Sequence, residues 1–478
     1  MKRKVQIDKK MEKKRSLLLR ILSVALFFCI SIIFILLSEN QKLKESLANQ
    51  NNKTKTNYPH FISENKKLSC ENPGVDEISP KCPSKKGNII LPRFYPIHTI
   101  YMGYEANITT TGLFQSVLKA ALSATPIIKV IVMVPKGKMQ KAIDEIDPLL
   151  NDFTKDYVEV LLTPSDYTIW AQDYFELAID SKTGALSIID LPYEKEAGEH
   201  IPTAISLACN HNLIGQSEID VSNMPRPSGN FGGNIDALTD NLVLIGNNMH
   251  PSQKQVLVEE IQQKFLEIDV KWLSVGHVDE LISVIPVKQK GGKCPFDLLY
   301  ASPGKALELL EKESKNPEAE KVEFRYGFGD QLQKFSLLDC FQGSRHPGCT
   351  STLEANNEYQ KRIDRNIIKI REALRAEGGN CGQVKFRSIP VLFTASQEQS
   401  KYGTDNDLAV TVDPNPVNNV LIGNHIFLPK QNFNVFHQYT REQLADYKLK
   451  TNFVDGKYVH FFGGGIHCSL NLRRACRP

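Results

Sequence analysis

Val243-Leu244-Ile245-Gly246-Asn247 recurs further along the chain as Val420-Leu421-Ile422-Gly423-Asn424, and Leu298-Leu299-Tyr300-Ala301-Ser302-Pro303 is a looser third form. Each copy is a short apolar run stopped by Gly or by Pro, which is strand chemistry closed by turn chemistry. A helix-like segment follows each, and Gln253 to Leu266 and Tyr359 to Leu374 carry apolar residues at helical spacing. Further short strands are read at Ile127 to Val134 and Val158 to Leu162. Strands alternating with helices define an α/β protein. Reuse of one strand–turn–helix unit points to internal pseudo-symmetry. The charged stretch from Lys312 to Glu323 is expected to be a solvated surface helix or loop.

The chain has 478 residues, 41% apolar and 23% charged, so it is able to bury a sizeable core. Its net charge is +4, with much of the excess in the first twenty residues. The body is close to neutral, which excludes a nucleic-acid binder driven by phosphate neutralisation. Ten cysteines show neither C-x-x-C pairs nor Cys/His spacing of a zinc site.

The N-terminus is the strongly biased stretch. Residues 1–20 are basic and are expected to stay cytoplasmic, ahead of an apolar run from Ile21 to Leu37 that is just long enough to cross a bilayer. That run exceeds the usual signal-peptide core, and no Ala-x-Ala-like site follows it, so residues 21–38 are read as an uncleaved transmembrane signal-anchor helix. Residues 39–87 are polar and rich in Asn, Lys, Ser and Pro, as a stalk would be. Cys70 and Cys82 lie in it, and an outward location would let them pair. Residues 88–478 form the catalytic domain of this reading, a domain facing outward from the membrane.

Four segments place reactive side chains among glycines and apolar strands: Trp170-Ala171-Gln172-Asp173-Tyr174-Phe175-Glu176, Ser228 to Asp236, Leu273 to Glu280, and Gly463-Gly464-Gly465-Ile466-His467-Cys468-Ser469-Leu470-Asn471. In a strand, His277 and Asp279 would point to one face. Cys468 follows three glycines, which permit close backbone approach. A thiol becomes a nucleophile only as thiolate, stabilised by a neighbouring cation or by the charge of its substrate. Two aspartates, a histidine and a cysteine suit a planar cation that stays protonated. Arginine's guanidinium is such a cation, and its fork of N–H donors matches carboxylates.

All four segments together resemble the catalytic domain of the protein-arginine deiminases, within the wider guanidine-modifying superfamily that includes agmatine and arginine deiminases. The resemblance runs from about Pro96 to the C-terminus and rests on Trp-x-Gln-Asp, Trp-Leu-Ser-Val-Gly-His-Val-Asp-Glu and Gly-x-Ile-His-Cys-x-x-Asn-x-Arg-Arg. It implies a pentein-like, five-bladed α/β propeller, here preceded by the membrane helix and linker.

The resemblance also implies a mechanism. Asp173 and Asp279 would hold the guanidinium, Cys468 would attack its central carbon, and His277 would serve as acid and then as base. Trp170 would pack on the substrate's aliphatic stem, Arg226 could clamp a peptide backbone, and His467 is read as structural. Animal members use Ca²⁺, and the implied ligands are Gln172, Glu176, Asp236 and the carbonyls of Gly232 and Ile235. Tyr174 departs from a second calcium-binding acid in those members. Tyr193, Glu194 and Lys195 stand where they carry substrate-gripping arginines, and Phe462 and Gly463 replace a basic residue. The leading expectation is conversion of peptidyl-arginine to peptidyl-citrulline, so the partners expected are an arginine-containing peptide or protein and, through the N-terminal helix, the membrane. Two alternatives stand beside it: a deiminase or amidinotransferase acting on a small guanidine such as agmatine or free arginine, and a catalytically silent membrane-tethered binding protein.

Overall fold

The strand Lys129–Pro135 is apolar almost throughout, and Val130, Ile131, Val132, Met133 and Val134 are all buried. A near-continuous apolar strand belongs between parallel neighbours covered on both faces. It pairs in parallel with Ile97–Gly103 on one side and with Val158–Thr163 on the other. Each such buried Val or Ile contributes roughly 1.5–3 kcal/mol. The charged Lys129 at its start is almost fully buried, held by Glu159 at 2.8 Å and by the Asp156 carbonyl at 3.0 Å. The computed structural model describes Cys70 and residues 87–104, 111–163, 169–191, 201–215, 229–287, 291–316, 323–326, 333–395, 408–456, 459–460 and 463–476.

One local order recurs in five sheets: a first strand, an antiparallel second strand, a helix, and a third strand parallel to the second. Phe175–Asp180, Leu186–Asp190 and Asn212–Ile214 follow it, with the helix Ile201–Cys209 between the last two strands. Ile235–Thr239, Leu242–Gly246 and Lys264–Ile268 do so around Pro251–Glu260. Ile282–Pro286, Phe296–Ser302 and Phe386–Pro390 do so around Pro303–Glu313 and the long helix Pro347–Glu377. Val420–Ile422, His425–Pro429 and Lys450–Val454 do so around Asn434–Leu444. In the fifth sheet the first strand is Leu470–Arg474, which runs antiparallel to Ile97–Gly103. The helix Thr111–Leu122 then leads to Lys129–Pro135. The α/β reading is therefore correct, and the end of the described chain is laced to its beginning.

Several sequence readings are corrected. The helix read over Gln253 to Leu266 spans Pro251–Glu260, and Lys264–Ile268 is a strand, because the apolar residues at its end belong to a sheet edge. The two close echoes occupy different places: Leu242–Gly246 is a second strand, whereas Val420–Ile422 is a first strand. The looser copy, inside Phe296–Ser302, is the one equivalent to Leu242–Gly246. Cys70 is bonded to Cys209 rather than to Cys82, and Cys294–Cys381 and Cys340–Cys349 are further disulfides. Among the described residues no helix is long and apolar enough to cross a membrane. The segment 21–38, on which a span was expected, lies outside them, as do Arg226, Tyr193 to Lys195 and Phe462.

Candidate active site

The turns that enter the first strands converge on one place. Asp173 stands two residues before Phe175–Asp180, Gly233 two before Ile235–Thr239, Asn418 two before Val420–Ile422, Cys468 two before Leu470–Arg474, and Asp279 three before Ile282–Pro286. Five equivalent loops thus supply the site, which is how residues so distant in sequence meet. Two of these loops are tied directly, the Gln172 N–H donating to the Cys468 carbonyl at 3.0 Å.

His277 and Asp279 do not lie on a strand, as the alternation of their segment suggests. Val278–Glu280 is a single 3-10 turn capped by His277, and the Glu280 carboxylate accepts the His277 N–H at 3.0 Å. His277 and Asp279 still reach one site, because the turn folds both inward; they are 0% and 1% exposed. Gly233 is required here. A Cβ on it would lie 2.5 Å from His277 Nδ1 and 3.2 Å from Asp279 Oδ2, so only a bare backbone lets these groups approach.

Cys468 is the free cysteine among the described residues and is buried. Its Sγ lies 3.7 Å from Asp279 Oδ2, and Asn418 Nδ2 donates to it at 3.3 Å. His277 Nδ1 is 3.9 Å from Asp173 Oδ1. Asp173 Oδ1, Asp279 Oδ1 and both ring nitrogens of His277 are buried without a hydrogen-bond partner among the described residues. Buried polar atoms are normally paired, so four such atoms on three neighbouring side chains mark a place built for a polar guest. Trp170 lies at its edge, its ring against Gly464, where any side chain would collide.

Burial disfavours charge on three of the four groups at this site. Burial raises Asp173 well above the usual carboxylate range, and the neighbouring Asp279 and Glu280 add to it. Burial, with Asp279 and Asp173, likewise pushes the Cys468 thiol up, against the Asn418 hydrogen bond. Burial lowers His277 to about 4, so its imidazole is neutral near neutral pH. Asp279 is the exception. Burial would raise it, but the His467 hydrogen bond and nearby positive charge hold it below the ordinary value.

Two residues that touch the site's side chains escaped the sequence reading. Asn418 sits in a Pro- and Asn-rich stretch with no distinguishing pattern, yet it also accepts the His467 N–H at 2.8 Å. His467 is read from the sequence as structural. His467–Ser469 is a 3-10 turn, which swings the ring inward so that Nδ1 meets Asp279 Oδ2 at 2.8 Å.

The residues expected to hold calcium do cluster. Gln172, Glu176, Ile235 and Asp236 line a cavity of about 40 Å³ beside His467. Two guanidinium groups, Arg93 and Arg474, line it as well. Arg93 already engages both Asp236 oxygens, at 3.1 and 2.9 Å, Gln172 Nε2 donates to Glu176 at 3.2 Å, and the Gly232 carbonyl accepts the Ile235 N–H. A buried site that holds its own positive charge does not fit a calcium ion.

The fold and the site define a class: an α/β protein with a buried thiol set among two carboxylates and an imidazole. The family model for protein-arginine deiminase matches residues 239–477, half of the chain, and the chain belongs to that family. It is 28% identical over 248 residues to protein-arginine deiminase type-3 of Rattus norvegicus and 29% identical over 248 residues to the type-4 protein of Homo sapiens, in each case over 48% of this chain and 34% of the relative. The Homo sapiens type-1 protein is 27% identical over 310 residues, 60% of this chain and 42% of its own. The chain thus spans about a third to two fifths of the length of these relatives. Among solved structures, C. jejuni agmatine deiminase aligns with a TM-score of 0.49 at 12% identity, over 83% of this chain and 99% of that one.

Proposed function

We propose that the chain hydrolyses the guanidinium group of arginine within a peptide or protein, giving citrulline and ammonia. The observation that carries this reading is the group of buried atoms without hydrogen bonds, Asp173 Oδ1, Asp279 Oδ1 and both nitrogens of His277, beside a free thiol 3.7 Å from Asp279 Oδ2. A guanidinium is flat, permanently charged and rich in donors, and two carboxylates match its fork. Membership of the family supports arginine in a protein as the substrate.

Arrival of the cation lowers Asp173 into its ionised form and favours the thiolate, so the substrate itself switches on the nucleophile. The Cys468 proton passes to His277, and Sγ bonds to the central guanidinium carbon. His277 returns that proton to one NH₂ group, the C–N bond breaks, and ammonia leaves a thiouronium cation on Cys468. His277 then removes a proton from water, the hydroxyl adds to the same carbon, and the C–S bond breaks to release the ureido product and the thiol. The remaining proton leaves with ammonia as ammonium. Every step uses groups present in this chain.

The five sheets of like order support a closed five-bladed, pseudo-symmetric arrangement. Residues 1–20, 21–38 and 39–87 are taken as cytoplasmic tail, membrane anchor and stalk, placing the catalytic domain outside the cytoplasm. Three disulfides among the described residues, one of them joining Cys70 of the 39–87 segment to Cys209, support an oxidising location.

The test is citrulline formation on a blocked arginine peptide, beside free arginine and agmatine, with Cys468→Ser as control. Turnover of the peptide that vanishes in Cys468→Ser is expected. Turnover of the small molecules alone would retire the peptide reading, and no turnover of any guanidine would retire the activity.

A further inference from the structure

Arg93 lies just ahead of the strand Ile97–Gly103 and reaches beneath the active site. Its Nε and Nη2 clamp Asp236, and its Nη1 donates to Ser283 Oγ at 3.4 Å. Asp236 belongs to the strand entered from the Gly232–Asn234 turn, and Ser283 to the strand entered from Val278–Glu280. The Arg93 carbonyl accepts Arg474 Nη1 at 2.8 Å, and Arg474 ends the strand entered from the Cys468 turn. One residue therefore ties together three of the sheets that supply the site. His467 lines the same cavity and passes its order on to Asp279.

Charge bookkeeping points the same way. Arg93 and Arg474 already place two positive charges in this buried cavity, and a divalent ion would add two more at a heavy desolvation cost. Removing the Arg93 side chain would take away one of these charges and enlarge a cavity lined by oxygens of Gln172, Glu176 and Asp236. We infer that Arg93 is a positioning residue that takes the place of a divalent cation, so that this chain organises its active site without calcium.

The activity arm of the test rests on the deiminase reading, whereas the binding and melting arms do not. The full chain is titrated with CaCl₂ by calorimetry, and its melting temperature and citrulline-forming rate are compared in EGTA and in millimolar calcium. No heat of binding is expected, and melting temperature and rate should be indifferent to calcium. Arg93→Met should lose about tenfold or more in rate, gain calcium binding, and recover rate and melting temperature when calcium is added. Arg93→Lys, which keeps the charge, should stay indifferent to calcium. A wild-type chain that binds calcium or loses rate in EGTA overturns the inference, as does an Arg93→Met chain that behaves as wild type or ignores calcium. Should Arg93→Met fail to fold, the wild-type titration and Arg93→Lys still decide. Absence of any turnover removes only the deiminase reading.

Discussion

His467 Nδ1 and Asp279 Oδ2, from residues 188 positions apart, lie 2.8 Å from each other in the buried site. An ionised carboxylate only accepts, so the imidazole presents Nδ1–H to it. This bond offsets much of the cost of burying Asp279 and fixes the oxygen that faces the Cys468 sulfur.

Removing that donor should therefore hurt catalysis more than folding. A hydrogen bond to a charged group is worth about 1.5–3 kcal/mol, so His467→Ala should lower kcat/KM roughly 10- to 100-fold. Steady-state kinetics on the arginine peptide measures this. Unchanged kcat/KM would return His467 to a purely structural role.

The thiolate depends on Asn418 in a similar way. Asn418→Ala removes the N–H that points at Cys468 Sγ. The pH profile of Cys468 alkylation by iodoacetamide should move upward by roughly one pH unit. An unmoved profile would mean that this contact does nothing for the charged sulfur.

Gly233 gives a steric prediction. Its backbone conformation accepts alanine, but the new Cβ would strike His277 Nδ1 at 2.5 Å and crowd Asp279. A displacement near 1 Å costs about 100-fold in rate. Gly233→Ala should show that loss in kcat with a smaller effect on melting, and normal turnover would show that the ring has room to spare.

Stability should depend on pH with a definite sign. Burial raises Glu176 and Glu280 from 4.5 to about 8 each. Between these values the folded chain holds protons that the unfolded chain has released, so stability falls as pH rises. Burial lowers His98 and His277 from 6.5 to about 3 and about 4, so below 6.5 the unfolded chain takes up protons that the folded one refuses. The two trends oppose each other up to 6.5, and above it the raised carboxyls, Glu176 and Glu280 with Asp173, act without the histidines. Scanning calorimetry at low salt should find melting temperature falling from pH 6.5 to 8. A rise over that interval would contradict the assignment.

The four residues proposed for catalysis, Asp173, His277, Asp279 and Cys468, were legible because each sits in a short segment of unusual chemistry, and the combination suits one kind of cation. The strands were legible wherever apolar runs were uninterrupted, as at Val130 to Val134. What stayed hidden was relational. The echo at Val420 carries nearly the same letters as Val243 but fills a different place in its sheet, because apolar strands of one length are interchangeable in composition. Asn418 and the inward turn of His467 depend on loop geometry that no periodicity encodes. Arg93 belongs to no motif, and its partners Asp236 and Ser283 are 143 and 190 positions away.

The antiparallel pairing of Leu470–Arg474 with Ile97–Gly103 also orders events in time. The nucleophile's turn is anchored by a strand that leaves the ribosome long after its partner, so a nascent or prematurely terminated chain lacking that strand carries two acids and an imidazole but no seated thiol. On the proposed reading, a competent thiol would therefore appear only once Leu470–Arg474 has docked against Ile97–Gly103.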